Sequence, residues 1–306
     1  KMLPMLAESV EPNATFDSWT IKIREGVKFH DGTKLDAEVV KNNLDAYRGK
    51  YDGRSPLLFV FVLQNIKAVD VTDPMTVTIT TKTPWPALPS FLYSSGRLGM
   101  SAQAQLDSKD NCDKDLIGTG PFKLKEWKLN DHFTAVKNPD YWQKDADGTQ
   151  LPYLDEIEYR PVPDTDSRVE GVQTGQFDMI HTNGGEAVSQ LQPLADSGTI
   201  NMIANSDAAE VTYLMANEAK APFDNLDARK AVAYGINREE FKKLRAAGLQ
   251  DVASGPFAPG NLGYLEDTGF PEFDVAKAKE HAAAYKKATG KDLSFTMSYA
   301  ADASTK

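Results

Sequence analysis

Alternating apolar and polar side chains predict most of the strands in this chain. Residues 19–24 alternate with a period of two, as a half-buried strand does. Two β-branched runs, 66–71 and 75–80, are joined through Asp73 and Pro74 and predict a hairpin. Comparable runs predict further strands at 122–129, 132–136, 157–160, 177–180, 200–203, 211–215 and 293–298.

Capping residues beside apolar stripes predict the helices. Asp36 precedes one stripe, and Asp274 precedes another that Gly290 ends. Further helices are predicted at 167–174 (capped by Asp166), at 186–195, at 227–234 and from residue 237. Three prolines are expected to break regular structure around Trp85. The elements form no regular β-α-β series, which favours a mixed α/β or α+β protein with more than one lobe.

The amino-acid composition and charge exclude some classes of binding partner. The 306 residues carry 34 Lys and Arg against 44 Asp and Glu, a net charge of −10. Phosphate recognition needs a basic face, so no nucleic-acid partner is expected, and an anionic membrane surface is disfavoured. Residues 117–217 hold 7 basic and 16 acidic side chains, which indicates a solvated face or a surface that attracts cationic ligands. No apolar run reaches the roughly 18–20 residues of a transmembrane helix.

The residue types offer no catalytic or metal-binding constellation. Cys112 is the one cysteine, which excludes an intrachain disulfide and a thiolate metal cluster. The four histidines are scattered, and neither a zinc-protease helix motif nor a serine-hydrolase elbow occurs. We therefore predict no catalytic residue, no metal ligand and no cofactor, and a binding protein rather than an enzyme. A carboxylate-based hydrolase stays open as an alternative, on the acid-rich segment alone.

The candidate ligand-binding residues lie where predicted strands end. A loop follows one strand and leads into a helix, where exposed backbone N–H groups can hold a polar ligand; it comprises His181, Thr182, Asn183, Gly184 and Gly185. Tyr213 and Met215 share one face of another predicted strand, which favours core packing for both, with a cleft-lining role for Tyr213 as the alternative. Trp85 either contacts ligand or wedges its proline-rich loop into the fold.

Several blocks of sequence, taken in order, resemble one protein family. They include FDSWTIKIREGVKFHDGT at 16–33 and IGTGPFKL at 117–124, and the others lie at 6–9, 35–40, 138–142, 153–157, 163–168, 173–178, 222–239 and 255–260. Together they resemble the extracellular solute-binding proteins, family 5, which are the peptide- and nickel-type binding components of ABC importers. Any single block would be a weak signal, but the ordered set spans nearly the whole chain.

The resemblance implies a fold. It implies an α/β, two-lobed clamp like the periplasmic binding proteins (type II, cluster C), with an extra small α+β domain. Residues 1–116 would be mostly that small domain, 117–217 the first lobe, and 218–306 the start of the second lobe. The chain begins with Lys1 and matches the middle of the family pattern, so we expect a central fragment truncated at both ends.

The resemblance also implies a function. The chain would bind an oligopeptide or another small molecule between two lobes and deliver it to ABC permease subunits in the membrane. The loop 181–185, with Tyr213, Met215 and Asn217 beside it and Trp85 as an outside candidate, would contact the ligand. Binding of an oligosaccharide or a nickel chelate, and a sensing role, stay open. A monomer is expected, periplasmic or extracellular, with a lipid anchor at the cell surface as one arrangement.

Overall fold

The computed structural model describes residues 3, 5–56, 60–94, 98–109, 114–182, 185–203, 211–246, 248, 251–261 and 263–298. The chain divides into two compact units, Lys1–Pro161 and Val162–Lys306. The division into 1–116, 117–217 and 218–306 stays a prediction. Cys112 lies outside the described residues.

The first unit combines two antiparallel sheets with short helices. Its described elements are β1 (Ala7–Pro12), β2 (Ser18–Ile23), α1 (Ala37–Tyr47), α2 (Val60–Leu63), β3 (Ile66–Asp73), β4 (Thr76–Thr81), α3 (Leu88–Ser94), α4 (Gln103–Asp107), β5 (Phe122–Lys128), β6 (His132–Lys137) and β7 (Glu156–Tyr159). One sheet has the order β1-β2-β4-β3 and the other the order β5-β6-β7. The predicted hairpin is therefore confirmed as β3–β4, and the predicted strands at 122–129 and 132–136 pair with each other as β5–β6.

The main hydrophobic core lies against the four-stranded sheet. On β2, Trp19, Ile21 and Ile23 are buried and alternate with exposed residues, which is the predicted period of two. Val40 and Leu44 of α1 join the same core cluster. Asp36 caps α1 as predicted, because its side chain accepts a hydrogen bond from the amide of Val39 at 3.0 Å.

Buried polar contacts bind α1 to the segment that leads into α4. Asn43 is fully buried, and its amide nitrogen donates to the carbonyls of Val39 and Ser101, each at 2.8 Å. The amide of Ser101 donates to the Asn43 Oδ1 at 2.9 Å. Arg54 donates to the carbonyls of Leu106 and Gln105, each at 2.6 Å, at the end of α4. This network therefore links α1 and the residues that follow it to a part of the chain more than 50 positions later.

Residues that follow β2 contact residues on either side of the β5–β6 hairpin. The Arg24 guanidinium lies 4.6 Å from the centroid of the Trp142 ring, which packs against the main core cluster. The backbone amide of His30 donates to the carbonyl of Gly118 at 2.9 Å, just before β5 begins. The turn at 118–120 therefore connects the loop after β2 to the second sheet.

The second unit is helical in its regular parts. Its described helices are α5 (Thr165–Gln173), α6 (Gly185–Asp196), α7 (Leu226–Gly235), α8 (Arg238–Ala246) and α9 (Val275–Thr289). Asp274 caps α9 and Gly290 ends it at a φ of 72°, both as predicted. The cap of α5 is Asp164, whose side chain accepts from the amide of Ser167, so the predicted cap Asp166 is wrong by two residues.

Four predicted strands of the second unit are not strands in the structure. Residues 177–180, 200–203, 211–215 and 293–298 have no regular secondary structure. A period of two marks a chain that can form a strand, but a strand needs a hydrogen-bonded neighbour, and these segments have no ladder in the described residues.

The prediction around Trp85 is also wrong in part. The prolines there do not prevent α3, because Pro89 stands in its first turn, where a missing N–H costs nothing.

Candidate functional site

A small apolar cluster in the second unit positions the predicted binding loop. Val169 of α5 is buried against Ala187 and Leu191 of α6, and Ile180 packs against them. The amide of Phe177 donates to the carbonyl of Gly171 at 3.0 Å, which returns the chain across the end of α5. The side chain of Ile180 is therefore directed into the cluster, and the chain emerges at the next residue.

The predicted loop leads from this cluster into α6. His181 is exposed, Thr182 is half-buried, and Gly185 is buried as the first residue of the helix. Asn183 and Gly184 lie outside the described residues. The first amides of α6 have no partner within the helix, so a carbonyl or carboxylate oxygen of a ligand can accept from them. The Glu186 carboxylate lies in the same first turn and favours a neutral acceptor over an anion there.

The segment 211–217 presents large side chains to solvent. Tyr213 is 71% exposed, Met215 is 80% exposed and Leu214 is 42% exposed. Core packing, the favoured role for Tyr213 and Met215, is therefore not what the structure shows. Asn217 is also exposed, and its Oδ1 accepts from the amide of Ala219 at 3.1 Å, so part of its side chain shapes a turn.

Trp85 belongs to the first unit, whereas the other candidates belong to the second. Its ring is half-buried against the main core and lies 5.3 Å from the ring of Phe91. Its backbone amide donates to the carbonyl of Phe16 at 2.7 Å. These contacts describe the wedge that was its alternative role, and ligand binding by Trp85 stays a prediction.

The sequence did not mark Met179 or Ile203 of the second unit as candidate site residues, although both are large, exposed and apolar. Met179 and Ile203 are each 87% exposed. Both lie in segments that were predicted as strands, 177–180 and 200–203, and the sequence pattern carries no signal that marks them as exposed.

The described residues show no constellation for metal binding or membrane crossing. Within the part of the chain that the structure describes, no group of three or more His, Cys, Asp or Glu side chains is placed to hold a metal ion. No helix there is long and apolar enough to span a bilayer. The predicted site residues that the structure describes offer backbone amides, a histidine, small polar groups and exposed apolar side chains.

Comparison with known proteins gives the family. The sequence model of the bacterial extracellular solute-binding proteins, family 5 Middle, matches residues 1–306. The chain belongs to family 5 of the bacterial extracellular solute-binding proteins. The resemblance drawn from the ordered sequence blocks is thereby confirmed.

Named relatives place this family 5 chain more closely. It is 32% identical over 280 residues to the glutathione-binding protein GsiB of Salmonella paratyphi A, covering 92% of this chain and 52% of that protein. The Shigella boydii GsiB is 31% identical over the same coverage. The chain thus spans about half the length of the curated relatives it matches.

Solved structures confirm the fold class. The periplasmic binding protein DppA of Helicobacter pylori, in complex with the peptide STSA, superposes with a TM-score of 0.74 at 24% identity, covering 92% of this chain and 57% of that one. The binding protein AgaA of Agrobacterium tumefaciens R10, in complex with agropinic acid, has a TM-score of 0.73 at 26% identity, covering 93% and 55%. This family 5 chain therefore has the type II periplasmic-binding-protein fold, with mixed α and β structure.

Proposed function

We propose that this chain forms part of the substrate-binding component of a bacterial ABC importer, which captures a peptide-like solute and delivers it to the permease. The observation that carries the proposal is the match of the family 5 model to all 306 residues. The 32% identity to a glutathione-binding protein supports a peptide, since glutathione is a tripeptide. Binding would follow the clamp mechanism, in which two lobes close over the ligand and closure marks the loaded protein.

The geometry of the second unit supports a peptide ligand. The segment 211–217 has no strand pairing in the described structure, so its backbone can pair with the main chain of an extended peptide. Tyr213 and Met215 offer apolar surface that adapts to different side chains, the aromatic ring by stacking and the thioether by its flexibility. The first amides of α6 would hold a carbonyl of the same peptide, and His181 lies at that loop.

Calorimetry on the gene product that carries this sequence tests the ligand class. The titrants are glutathione, a panel of di- to pentapeptides, a nickel–histidine chelate and an oligosaccharide. We expect heat from at least one peptide and none from the chelate or the sugar. Binding of the chelate or the sugar, with no peptide bound, would overturn the peptide assignment.

A pair of tyrosine variants tests the site. Tyr213→Ala should weaken peptide binding by about 1–2 kcal/mol, roughly 5–30-fold, because an exposed ring becomes buried against the ligand. Tyr159→Ala is the matched control, since Tyr159 is 60% exposed in the first unit and is not assigned to the site. Equal affinities for Tyr213→Ala and the wild type would remove Tyr213 from the site and leave the ligand class standing.

Location and assembly complete the proposal. The protein would act outside the cytoplasm as a monomer, either free in the periplasm or held at the surface by a lipid anchor. Light scattering measures the mass in solution, and a mass of two copies would contradict the monomer. Metabolic labelling with palmitate distinguishes the anchored form from the free one.

A further inference from the structure

His30 occupies an unusual position between the two sheets of the first unit. Its imidazole is half-buried, and both ring nitrogens face backbone groups of the turn at 118–120. The Gly118 amide donates to Nδ1 at 3.2 Å, and Nε2 lies 3.1 Å from the Gly120 carbonyl oxygen. Since Nδ1 accepts, the proton of the neutral ring is on Nε2, which donates to Gly120.

The Gly118 amide, burial and Lys123 oppose a second proton on this ring, whereas backbone hydrogen bonds of Gly120 and Leu116 and the Asp31 carboxylate favour it. An imidazolium would direct its Nδ1–H at the Gly118 amide, so that two donors would face each other. The facing charged groups are Lys123, whose ammonium donates to the His30 carbonyl at 3.2 Å, and Asp31. The Asp31 carboxylate already accepts from the amide and the hydroxyl of Thr33, at 2.9 Å and 2.6 Å. No carboxylate is hydrogen-bonded to the ring among the contacts that the structure describes.

Other contacts place the same turn against the ring and against a buried side chain that directly follows β6 of the second sheet. The Gly120 carbonyl that accepts from Nε2 also accepts from the Asn138 side chain at 3.0 Å, and Asn138 is almost fully buried. A side-chain carbon added at Gly118 would lie 3.7 Å from the His30 Cε1, so the turn backbone packs directly on the imidazole. Loss of the ring contacts would therefore loosen the entry into β5.

We propose that His30 is an acid-sensitive latch, which closes the 118–120 turn onto the first sheet when neutral and releases it when protonated. Burial lowers the pKa of His30 below its ordinary value, and Lys123 acts in the same direction. The backbone hydrogen bonds of Gly120 and Leu116 and the Asp31 carboxylate raise the pKa, but the net shift is downward. A histidine with a lowered folded-state pKa stabilises the closed turn fully above its unfolded value of about 6.5. That stability is lost as the pH falls from there through the folded-state pKa.

Hydrogen exchange on the full chain tests the latch. Protection of the Gly118 amide, corrected for intrinsic exchange, should fall on the order of two- to tenfold between neutral and mildly acidic pH, the effect of losing one hydrogen bond. His30→Asn keeps an acceptor near the position of Nδ1 and cannot titrate, so its protection should not change with pH. His132→Asn, a change at a half-buried histidine of β6 in the second sheet, should leave the wild-type pH dependence intact.

Two results would overturn the latch. The first is a Gly118 amide whose protection is independent of pH in the wild type. The second is a pH dependence that persists unchanged in His30→Asn. Should that variant fail to fold, ring NMR of the wild type decides the question. The Gly118 amide shift must then follow the titration of His30, and the ring must carry its proton on Nε2 at neutral pH; failure of either refutes the proposal.

Discussion

Asn43→Asp changes one heavy atom of the side chain, yet it should strongly destabilise the first unit. The substitution preserves the shape of the side chain and replaces the amide nitrogen with a carboxylate oxygen. That oxygen would face the carbonyls of Val39 and Ser101, which the nitrogen now contacts at 2.8 Å each. The site is fully buried, so water cannot replace the lost donor.

The expected loss of unfolding free energy follows from the hydrogen bonds that the substitution removes and the charge that it buries. The Val39 carbonyl keeps its partner within α1, whereas the Ser101 carbonyl loses its bond to this side chain, at a cost of about 1–3 kcal/mol. Burying a carboxylate that only the Ser101 amide contacts raises the total to about 3–5 kcal/mol at neutral pH. This is a large part of the 5–15 kcal/mol that is typical of a folded domain.

Urea denaturation followed by circular dichroism measures the loss, and a neighbouring residue supplies the control. Asn42 is half-buried on the same helix, and its amide donates to Gln103 at 3.0 Å, so Asn42→Asp should cost under about 1 kcal/mol. Burial raises the folded-state pKa of the new carboxyl in Asn43→Asp. The loss of unfolding free energy in this variant should therefore shrink as the pH falls towards the pKa of aspartate in the unfolded chain, about 3.9. Equal losses in the two variants, or a deficit that grows in acid, would refute the reasoning.

Three further changes probe other parts of the chain. Gly171→Ala should destabilise α5 by about 1–3 kcal/mol in thermal unfolding, because the new Cβ collides with the Phe177 ring; a gain, as in an open helix, would contradict this. Asp36→Ala should cost about 1 kcal/mol by removing the α1 cap, and an unchanged melting temperature would exclude a stabilising cap. The Glu126 carboxylate raises the pKa of His132. The ion pair between His132 and Glu126 is therefore lost as the pH rises through this raised pKa. NMR should find the midpoint above about 6.5 and lower in Glu126→Gln, and an identical midpoint would disprove the pairing.

Local signals predicted the parts of the fold that depend on neighbouring residues. The alternation of Trp19, Ile21 and Ile23 and the caps at Asp36 and Asp274 require only a few adjacent side chains, and the structure has all of them. Strands that require a distant neighbour were predicted less well. Residues 211–215 carry the alternation but pair with no strand in the described structure.

In the candidate site, too, local features were predictable from the sequence and features that depend on distant residues were not. Its loop at His181 was predictable because a half-buried apolar residue, Ile180, immediately precedes polar and glycine residues at the start of α6. The exposure of Tyr213 and Met215 depends on which surfaces meet them in space, and sequence alone favoured a core for both. The Asn43 network joins residues 58 positions apart, and nothing in the local pattern marks the partner.

The division into two units has a spectroscopic consequence. The four tryptophans of the chain, Trp19, Trp85, Trp127 and Trp142, all precede residue 162 and so belong to the first unit. Trp19 is 3% exposed and Trp127 is 47% exposed, so their emission spectra should differ in the folded protein. Tryptophan fluorescence therefore reports the melting of Lys1–Pro161 alone, while circular dichroism reports the helices of both units. Curves that coincide would mean that the two units melt together, and curves that separate would assign the fluorescent transition to the first unit without any label.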